Sequence, residues 1–445
     1  MRSFLYLTPR FAPAATVGAL RAVKFCRHLP ALGWRPVVLS DMEAARGFDP
    51  SLEAMLPAEI CLEVGWRPES GAVLVAMRAG LRAAPEVDTR SPFRRALADR
   101  IRATAPALID GPRALLQEFR FPLSADELRN IQHAVEAARR LVVRERCEAI
   151  VASGPPWQAL VVGALVARLE RLPLLLDFRD PWALCELDRP ERSWMEQHKA
   201  QLLERWCVGQ ATALLLNTDA ARDDYARVYG GRAGLRIETL RNHAEAWESG
   251  PEAERSGPFR LVCPGRLRDR VMSQGLVRAL AALAAEGWGP EQLVLEVAGP
   301  LSRRAEASFR SADVLRFVRQ VEWQPQASVA GWLSRADLLV VVAQPTRQRI
   351  PAKFYECIVA PRPLLVCGAT AEMAALTAGM AGVALCARED DGAIAAAIRT
   401  ALSNRRVAVV RDTSALTSER AAARLAELLC AVDPRGAVAS PSSDE

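Results

Sequence analysis

Short apolar runs alternate with amphipathic stretches from the start of the chain. Phe4–Leu7 is apolar, a loop follows to Gly18, and apolar residues then recur at the spacing of one helical face. Gly33 ends this helical pattern, and a second apolar run follows at Pro36–Leu39. The pattern predicts a strand, a helix and a second strand, which is the βαβ unit of a parallel sheet.

The same alternation fills two further blocks of the chain. In the first block, strands are predicted at Ala149–Ala152, Leu174–Asp177, Ala213–Leu216 and Arg236–Leu240. In the second block, strands are predicted at Phe259–Cys263, Leu293–Ala298, Val314–Val318, Leu338–Val342, Leu364–Val366 and Val383–Leu385. The predicted fold class is α/β, with two doubly wound, Rossmann-like parallel sheets. Ligands bind at the carboxyl ends of the strands in such sheets, so we expect the site in the cleft between two domains.

The domain boundaries follow from composition. Two Gly-Pro pairs, at 250–251 and 257–258, bracket charged residues and predict a linker. We predict a first domain over 1–247, a second domain over 258–415, a helix over 416–432 and a disordered tail over 433–445.

A helical insertion is predicted at about 67–146 in the first domain. It holds Arg94, Arg95, Arg100 and Arg102 close together. These arginines form either a solvated helix face or a platform for an anionic acceptor or a membrane surface.

Charge and cysteine content exclude several classes of protein. The net charge is +6, but basic residues are interleaved with acids and only Lys24, Lys199 and Lys353 are lysines, which is unlike a nucleic-acid-binding arm. The ten cysteines never form C-x-x-C and there are four histidines, so we expect no metal site and no disulfide framework. No apolar run approaches a membrane span. The expected location is the cytoplasm, with peripheral contact at the inner membrane face as an alternative.

Neither common nucleotide-binding loop is present. G-x-x-x-x-G-K-[ST] is absent, and no G-x-G-x-x-G follows a strand. The ATPase and ordinary dinucleotide interpretations therefore lose their best evidence.

The segment Ile350–Glu356 is the most informative. Pro351 fits the first turn of a helix that follows a predicted strand, which predicts an anion site at the helix N-terminus. Lys353 and Glu356 lie three residues apart on one helical face. The alternative is an ordinary surface ion pair between them.

Three further places carry candidate chemistry at strand ends. Arg266 suits contact with a diphosphate, although a surface arginine is the alternative. Gly18 allows a ligand to approach a helix N-terminus, although a plain turn fits equally well. Asp177, Arg179 and Asp180 could act on a hydroxyl as an acid/base pair, or anchor the loop as a self-contained network.

Taken in order, these segments resemble the landmarks of retaining GT-B glycosyltransferases of family 4. The resemblance spans about Leu5 to Leu429. Its motifs are Leu7–Pro13 with Val17–Arg21, Ser153–Pro156, Asp177–Trp182, and Pro351–Glu356 with Pro363–Leu365. It implies a GT-B architecture and metal-independent, retaining hexosyl transfer from a nucleotide-diphosphate sugar. The implied acceptor is a glycan, a lipid-linked or a small molecule, as in polysaccharide biosynthesis, with no cofactor besides the donor.

The resemblance also implies roles for single residues. Glu356 matches the glutamate that holds the donor ribose, Arg266 matches the diphosphate-binding arginine, and Lys353 lies in the donor site. Gly18 would lie near the phosphates and the acceptor. Asp180, with Arg179, occupies the region that contacts the reacting sugar. The helix at about 418–429 resembles the one that crosses back to the first domain.

Three departures from the family pattern leave alternatives open. The N-terminal loop, which is glycine-rich in the family, has only one glycine over 14–18, at Gly18. Gln348 stands where the E-x7-E signature has its first glutamate, so its contact to the donor sugar would be a neutral amide. The lysine that usually follows the diphosphate-binding arginine is absent, and Arg268, Arg270 or Lys353 are candidates to replace its charge. The competing hypotheses are a degenerate GT-B protein that binds a nucleotide or a partner enzyme, and a GT-B-shaped nucleotide-sugar epimerase.

Overall fold

A computed structural model describes residues 1–41, 47–65, 125–248, 257–269, 271–405 and 409–432. Its first sheet has seven parallel strands in the order β3-β2-β1-β4-β5-β6-β7. These strands are β1 (Arg2–Leu7), β2 (Trp34–Ser40), β3 (Cys61–Val64), β4 (Cys147–Gly154), β5 (Leu174–Phe178), β6 (Ala213–Leu216) and β7 (Arg236–Thr239).

The second sheet has six parallel strands in the order β10-β9-β8-β11-β12-β13. These strands are β8 (Phe259–Cys263), β9 (Leu293–Ala298), β10 (Val318–Val321), β11 (Leu338–Val342), β12 (Leu364–Cys367) and β13 (Val383–Cys386). The predicted α/β class with two doubly wound parallel sheets is confirmed.

Helices connect the strands in both halves. In the first half they are α1 (Val17–His28), α2 (Ser51–Ala54), α3 (Ala125–Arg144), α4 (Gln158–Glu170), α5 (Trp194–Gln210) and α6 (Asp219–Tyr229). In the second half they are α7 (Gln274–Ala285), α8 (Arg303–Ser311), α9 (Gln326–Ser334), α10 (Ala352–Val359), α11 (Ala371–Leu376), α12 (Asp391–Ser403) and α13 (Ser418–Ala431).

Burial follows the position of each strand in its sheet. The central strands β5, β6, β11 and β12 are buried along their whole length, whereas the edge strands β3, β7 and β10 are partly exposed. Helices cover both faces of both sheets, so the central strands are apolar on both sides. This burial explains why continuous apolar runs predicted the strands.

Local signals set the ends of α1. The hydroxyl of Thr16 accepts a hydrogen bond from the N–H of Ala19 and caps the helix. After the helix and a 3₁₀ turn, Gly33 adopts φ 82°, a left-handed conformation that glycine takes without strain. The chain then enters β2, as predicted.

Both sheets reverse their strand order at a central strand. β1 lies between β2 and β4, and β8 lies between β9 and β11. Such a reversal opens a crevice at the carboxyl ends of the strands. Each sheet therefore offers one such crevice, beside the loops after β1 and β8.

The predicted strand at Val314–Val318 was wrong. Leu315–Phe317 forms a 3₁₀ turn, and the strand begins at Val318 and runs to Val321. Val314 and Phe317 are buried from that turn, so its apolar pattern was that of a packed turn rather than of a strand.

Much of the predicted helical insertion, 66–124, lies outside the described residues, as do Arg94, Arg95, Arg100 and Arg102. The last part of the insertion is α3, which packs against β1, β4 and α4 through buried residues such as Ile131 and Leu141. This helix is a sheet-covering layer of the first half.

The predicted linker at 249–256 and the predicted tail at 433–445 also lie outside the described residues. The last described helix, α13, packs on α1 in the first half through buried Leu425 and Leu429. Ala244 and Thr417 form an isolated parallel bridge between the two places where the chain passes from one half to the other. Below, the parts built on the first and second sheets are called the first and second domains.

Candidate functional site

A cleft of about 1390 Å³ lies between the two domains. Loops at the carboxyl ends of the strands in both sheets line it, including Pro9 after β1 and Pro264 after β8. The cleft therefore occupies both strand-reversal points at once. It is the place where the sequence predicted a ligand.

Two of the arginines that line the second-domain wall of the cleft come directly after β8. Arg266 and Arg268 follow β8, and both are exposed into the cleft. Among the described residues, neither has an acidic partner within ion-pair distance. Arg270, a third candidate for the missing lysine, lies outside the described residues. Two uncompensated guanidinium groups in a cleft favour binding of an anion.

The N-terminus of α10 lies on the same wall. Pro351 occupies the capping position, and Ile350 through Lys353 line the cleft. The carbonyl of Pro351 accepts from the N–H of Phe354 at 2.9 Å. Within the described parts of the chain, the N–H groups of Ala352 and Lys353 have no acceptor. Such open N–H groups at a helix start suit an anion.

Glu356 lies behind this helix start, in contact with two of the chain's three lysines. Its Oε2 is 2.7 Å from Nζ of Lys353 and its Oε1 is 3.6 Å from Nζ of Lys24. Burial raises the pKa of Glu356, but the two ammonium groups outweigh it and hold that pKa below its ordinary value. Lys353 lines the cleft, whereas the Glu356 side chain is buried.

Lys24 ties this carboxylate to the first domain. It belongs to α1, is 2% exposed, and donates to the carbonyl of His243 at 3.2 Å. Burial lowers its pKa, and Glu356 offsets part of that effect. The ion pair between Lys24 and Glu356 therefore joins the two domains behind the cleft.

Gly18 and Arg179 meet on the first-domain wall. The guanidinium of Arg179 packs directly on Gly18 at the start of α1, where a Cβ would overlap it. Arg179 donates to the carbonyls of Gly154 and Pro155 at the end of β4. Burial lowers the pKa of Arg179, and Asp177 opposes that shift. Glycine at position 18 thus makes room for a cation against a helix N-terminus.

Asp180 forms an ion pair across the cleft with a residue that the sequence did not identify. Its Oδ1 is 3.0 Å from Nε of Arg349, which lies in the second-domain loop before α10. Arg349 also contacts Asp188 at 2.9 Å. The position of Arg349 directly before Ile350-Pro351 could have indicated a site residue. In a chain so rich in arginine, one more arginine did not stand out.

Asp177, the other carboxylate of this segment, serves as an anchor. It accepts from Nη2 and Nε of Arg21 at 3.0 and 3.2 Å, and from the hydroxyl of Ser153 at 2.8 Å. Arg21 also donates to the carbonyls of Leu240 and Arg241, both at 2.8 Å. Of the two interpretations of Asp177, the structure has the self-contained network that anchors the loop, and the cation in this network is Arg21.

The opposite rim of the cleft is also bridged. Asp49 in the first domain accepts from the N–H of Gln326, the first residue of α9 in the second domain, at 2.7 Å. The hydroxyl of Ser51 accepts from the N–H of Ala327 at 3.3 Å. The two domains thus touch on both sides of the cleft.

The cleft brings together five of the predicted site residues. Those that line it are Gly18, Arg179, Asp180, Arg266 and Lys353. Gln348 and Glu356 are not among its lining residues; both are buried in contacts between the two domains. The roles that the resemblance implies for all seven residues stay predictions.

Two further features concern the described residues alone. They contain no group of three or more histidine, cysteine, aspartate or glutamate side chains arranged to hold a metal ion. They also contain no helix that is both long and apolar enough to cross a membrane.

Sequence comparisons find no family model and no curated protein that matches this chain. Solved structures match it over nearly its whole length. HepE from Anabaena in complex with UDP-glucose is 16% identical with a TM-score of 0.56, and the match covers 98% of both chains. Sucrose-phosphate synthase from Thermosynechococcus elongatus is 14% identical with a TM-score of 0.58, covering 98% of this chain and 97% of that one.

A third structural neighbour is described as an epimerase. A putative UDP-N-acetylglucosamine 2-epimerase from Listeria monocytogenes is 9% identical with a TM-score of 0.54, covering 97% of this chain and 96% of that one. At such low identities the likeness shows the fold. The chain has the GT-B architecture, two parallel-sheet α/β domains facing a cleft.

Proposed function

We propose that the protein is a glycosyltransferase that moves a sugar from a nucleotide-diphosphate sugar to an acceptor hydroxyl, with retention at the anomeric carbon. The observation that carries the proposal is the asymmetry of the cleft. Its second-domain wall offers two arginines that have no acidic partner among the described residues and an open helix N-terminus, while its first-domain wall offers the carboxylate of Asp180 beside Arg179. This is the charge pattern that a leaving diphosphate and a sugar with developing positive charge require.

The diphosphate belongs on the second-domain wall. When the bond between the anomeric carbon and the phosphate oxygen breaks, its electron pair goes to the diphosphate. Arg266, Arg268 and the N–H groups of Ala352 and Lys353 stabilise that added charge. Arg268 supplies the cation that the family pattern places on a lysine. The arginines and the helix N-terminus supply the positive charge for this stabilisation, so the proposed reaction requires no metal ion.

The transferred sugar lies between the two walls, next to Asp180. A carboxylate that Arg349 holds in place stabilises positive charge on the sugar ring. The acceptor oxygen bonds to the anomeric carbon on the face that the diphosphate leaves, and its proton passes to the leaving phosphate oxygen. Arg179 lies at the same end of the cleft, where it holds the loop after β4.

Glu356 is proposed to hold the donor ribose, as the resemblance implies. In this structure its two carboxylate oxygens contact Lys24 and Lys353. Because Glu356 does not line the cleft, a ribose hydroxyl would reach Oε2 only where Lys353 moves away from it. Glu356→Ala would leave Lys24 buried without its counter-ion, so loss of binding in that variant would not distinguish binding from folding.

The donor and acceptor are proposed by class. HepE, one of the structural neighbours, has been solved with UDP and with UDP-glucose, which makes UDP the first nucleotide to test here. The acceptor is a glycan, a lipid-linked or a small hydroxyl compound, and it enters from the first-domain side. We place the enzyme with the retaining family 4 and with polysaccharide biosynthesis.

A nucleotide-sugar epimerase is the second candidate, because one structural neighbour of the same fold carries that description. The experiment that separates the candidates is UDP release from UDP-glucose and UDP-N-acetylglucosamine, with and without a panel of sugar acceptors. Release that requires an acceptor, with a glycosylated product by mass spectrometry, supports the transferase. Conversion without any acceptor supports the epimerase, and UDP binding without turnover supports the degenerate nucleotide-binding protein.

A further inference from the structure

Gln348 is the residue that departs from the E-x7-E pattern. All three hydrogen bonds of its side-chain amide are made with the first domain. It lies in the second-domain loop between β11 and α10 and is 2% exposed. Its amide nitrogen donates to Oδ2 of Asp224 at 2.7 Å and to the carbonyl of Leu184 at 3.1 Å. Its amide oxygen accepts from the N–H of Glu186 at 3.0 Å. All three partners belong to the first domain.

The neighbours of Gln348 make contacts of the same kind. Its backbone carbonyl accepts from the hydroxyl of Thr218 at 3.0 Å. Arg347 pairs with Oδ1 of Asp224 at 2.6 Å, and Arg349 pairs with Asp180 at 3.0 Å. Three consecutive second-domain residues, Arg347, Gln348 and Arg349, therefore bind the first domain beside the cleft.

The chemistry of this pocket requires an amide. The carboxylate of Asp224 and the carbonyl of Leu184 can only accept hydrogen bonds, while the N–H of Glu186 can only donate one. A glutamine side chain supplies two donors and one acceptor in matching positions. A glutamate would face two acceptors, one of them the buried carboxylate of Asp224 2.7 Å away, so it would bring two negative charges into contact.

We propose that Gln348 is a positioning residue, a strut between the domains, rather than the donor-sugar contact that the resemblance implies. It holds the loop that carries Arg349 and leads into α10, so it fixes the distance between the two walls of the cleft. Where the family pattern has a glutamate that contacts the donor sugar, this chain then has a glutamine that holds the two domains together. The inference deepens the proposed function and rests on it for the activity measurement alone.

The direct test compares Gln348→Glu, Gln348→Met and the double variant Gln348→Glu/Asp224→Asn by small-angle X-ray scattering of the full chain without ligand. We expect Gln348→Glu to increase the radius of gyration most, because it adds repulsion to the lost hydrogen bonds. Gln348→Met removes only the hydrogen bonds and should give a smaller increase. The double variant should return toward wild type, because the introduced amide at 224 can donate to the introduced carboxylate at 348.

Gln274→Glu is the matched control. Gln274 is exposed on α7, and its amide nitrogen donates to the hydroxyl of Ser308 in the same domain. It should leave the radius of gyration unchanged. Circular dichroism confirms folding, and Gln348→Met keeps the comparison usable if Gln348→Glu does not fold.

Activity separates positioning from ligand contact. UDP affinity should change by less than about threefold in Gln348→Met, because Arg266 and Arg268 lie within the second domain, while turnover falls by about tenfold or more. An unchanged radius of gyration in Gln348→Glu would contradict the proposed positioning role. A loss of UDP affinity in Gln348→Met that accounts for its whole loss of turnover would contradict it as well. If wild type does not bind UDP or turn over a donor, the proposed function fails, and the scattering comparison still decides the strut.

Discussion

Oδ1 of Asp180 and Nε of Arg349 lie 3.0 Å apart, one on each side of the cleft. The first follows β5 in the first domain and the second precedes α10 in the second domain. Each residue lines the cleft, and Arg349 is also fixed by Asp188. A candidate catalytic carboxylate of one domain is therefore held in place by a cation of the other, so the site exists only when the two domains are together.

Asp180→Asn should lower donor turnover by about tenfold or more, because a neutral amide no longer stabilises positive charge on the sugar. UDP affinity should stay within about threefold of wild type, because the nucleotide is proposed to bind on the opposite wall. Turnover by UDP release and affinity by calorimetry check this. Asp313→Asn, at an exposed carboxylate outside the cleft lining, is the control, and an affinity loss with intact turnover in Asp180→Asn would contradict the assignment.

Arg268→Ala should weaken UDP binding by about tenfold, because it removes a guanidinium group from the second-domain wall, where the diphosphate is proposed to bind. Arg268→Lys should recover much of this loss, since the related pattern has a lysine shortly after the diphosphate-binding arginine. Calorimetry with UDP measures both. The control is Arg303→Ala, at an exposed arginine of α8 that does not line the cleft. Equal affinities in wild type and Arg268→Ala would remove Arg268 from the donor site.

Gly18→Ala should stabilise the protein less than an ordinary helical glycine-to-alanine change, because its methyl group would overlap the Arg179 guanidinium and that flexible side chain must move away from the end of β4. Gly209→Ala is the matched control. Gly209 is exposed in α5 and an added methyl group there would meet open space, so alanine should stabilise the helix by about 0.5–1 kcal/mol. Urea unfolding of both variants decides the point, and equal stabilisation by the two substitutions would contradict the close packing at Gly18.

Glu204 gives a prediction for pH dependence. This fully buried carboxyl accepts from the N–H of Ala183 and from the hydroxyl of Tyr225, both at 2.6 Å, and so anchors the loop that carries Asp180. Burial raises its pKa above the ordinary 4.5, more than these hydrogen bonds lower it. Its contribution to stability is therefore complete below pH 4.5 and is lost as the pH rises through the raised pKa.

Glu204→Gln should flatten this loss, because an amide can accept the same hydrogen bonds without becoming charged. Urea unfolding at about pH 5 and about pH 8 measures the difference in each protein. Glu291→Gln, at an exposed carboxyl, should keep the wild-type difference. A variant Glu204→Gln with the full wild-type difference would show that Glu204 does not titrate with unfolding.

Periodicity predicted the two sheets because their central strands are buried on both faces and read as unbroken apolar runs. It missed β3 (Cys61–Val64), a short edge strand with a partly exposed, mixed sequence. It misplaced the strand near Val314, where the apolar residues pack from a 3₁₀ turn. Short edge elements carry too little burial to leave a clear pattern.

The sequence predicted several residues that line the cleft, but not their partners in the other domain. Arg266 and Lys353 were found because strand ends and helix starts can be located along one chain. The pairing of Asp180 with Arg349, or of Glu356 with Lys24, joins positions more than a hundred residues apart in different domains. No local sequence pattern encodes such contacts. The burial of Glu356 and Gln348 between the domains therefore could not be predicted from the sequence.

The proposed donor site binds a nucleotide diphosphate through Arg266. The most direct measurement is the thermal stability of the protein with UDP, ADP, GDP and their sugars in the presence of a chelator. We expect selective stabilisation by one nucleotide, of about 2.7 kcal/mol at 100 times its dissociation constant, that is lost in Arg266→Ala and kept in Arg303→Ala. Stabilisation by none of them, or equal stabilisation of Arg266→Ala and wild type, would contradict it.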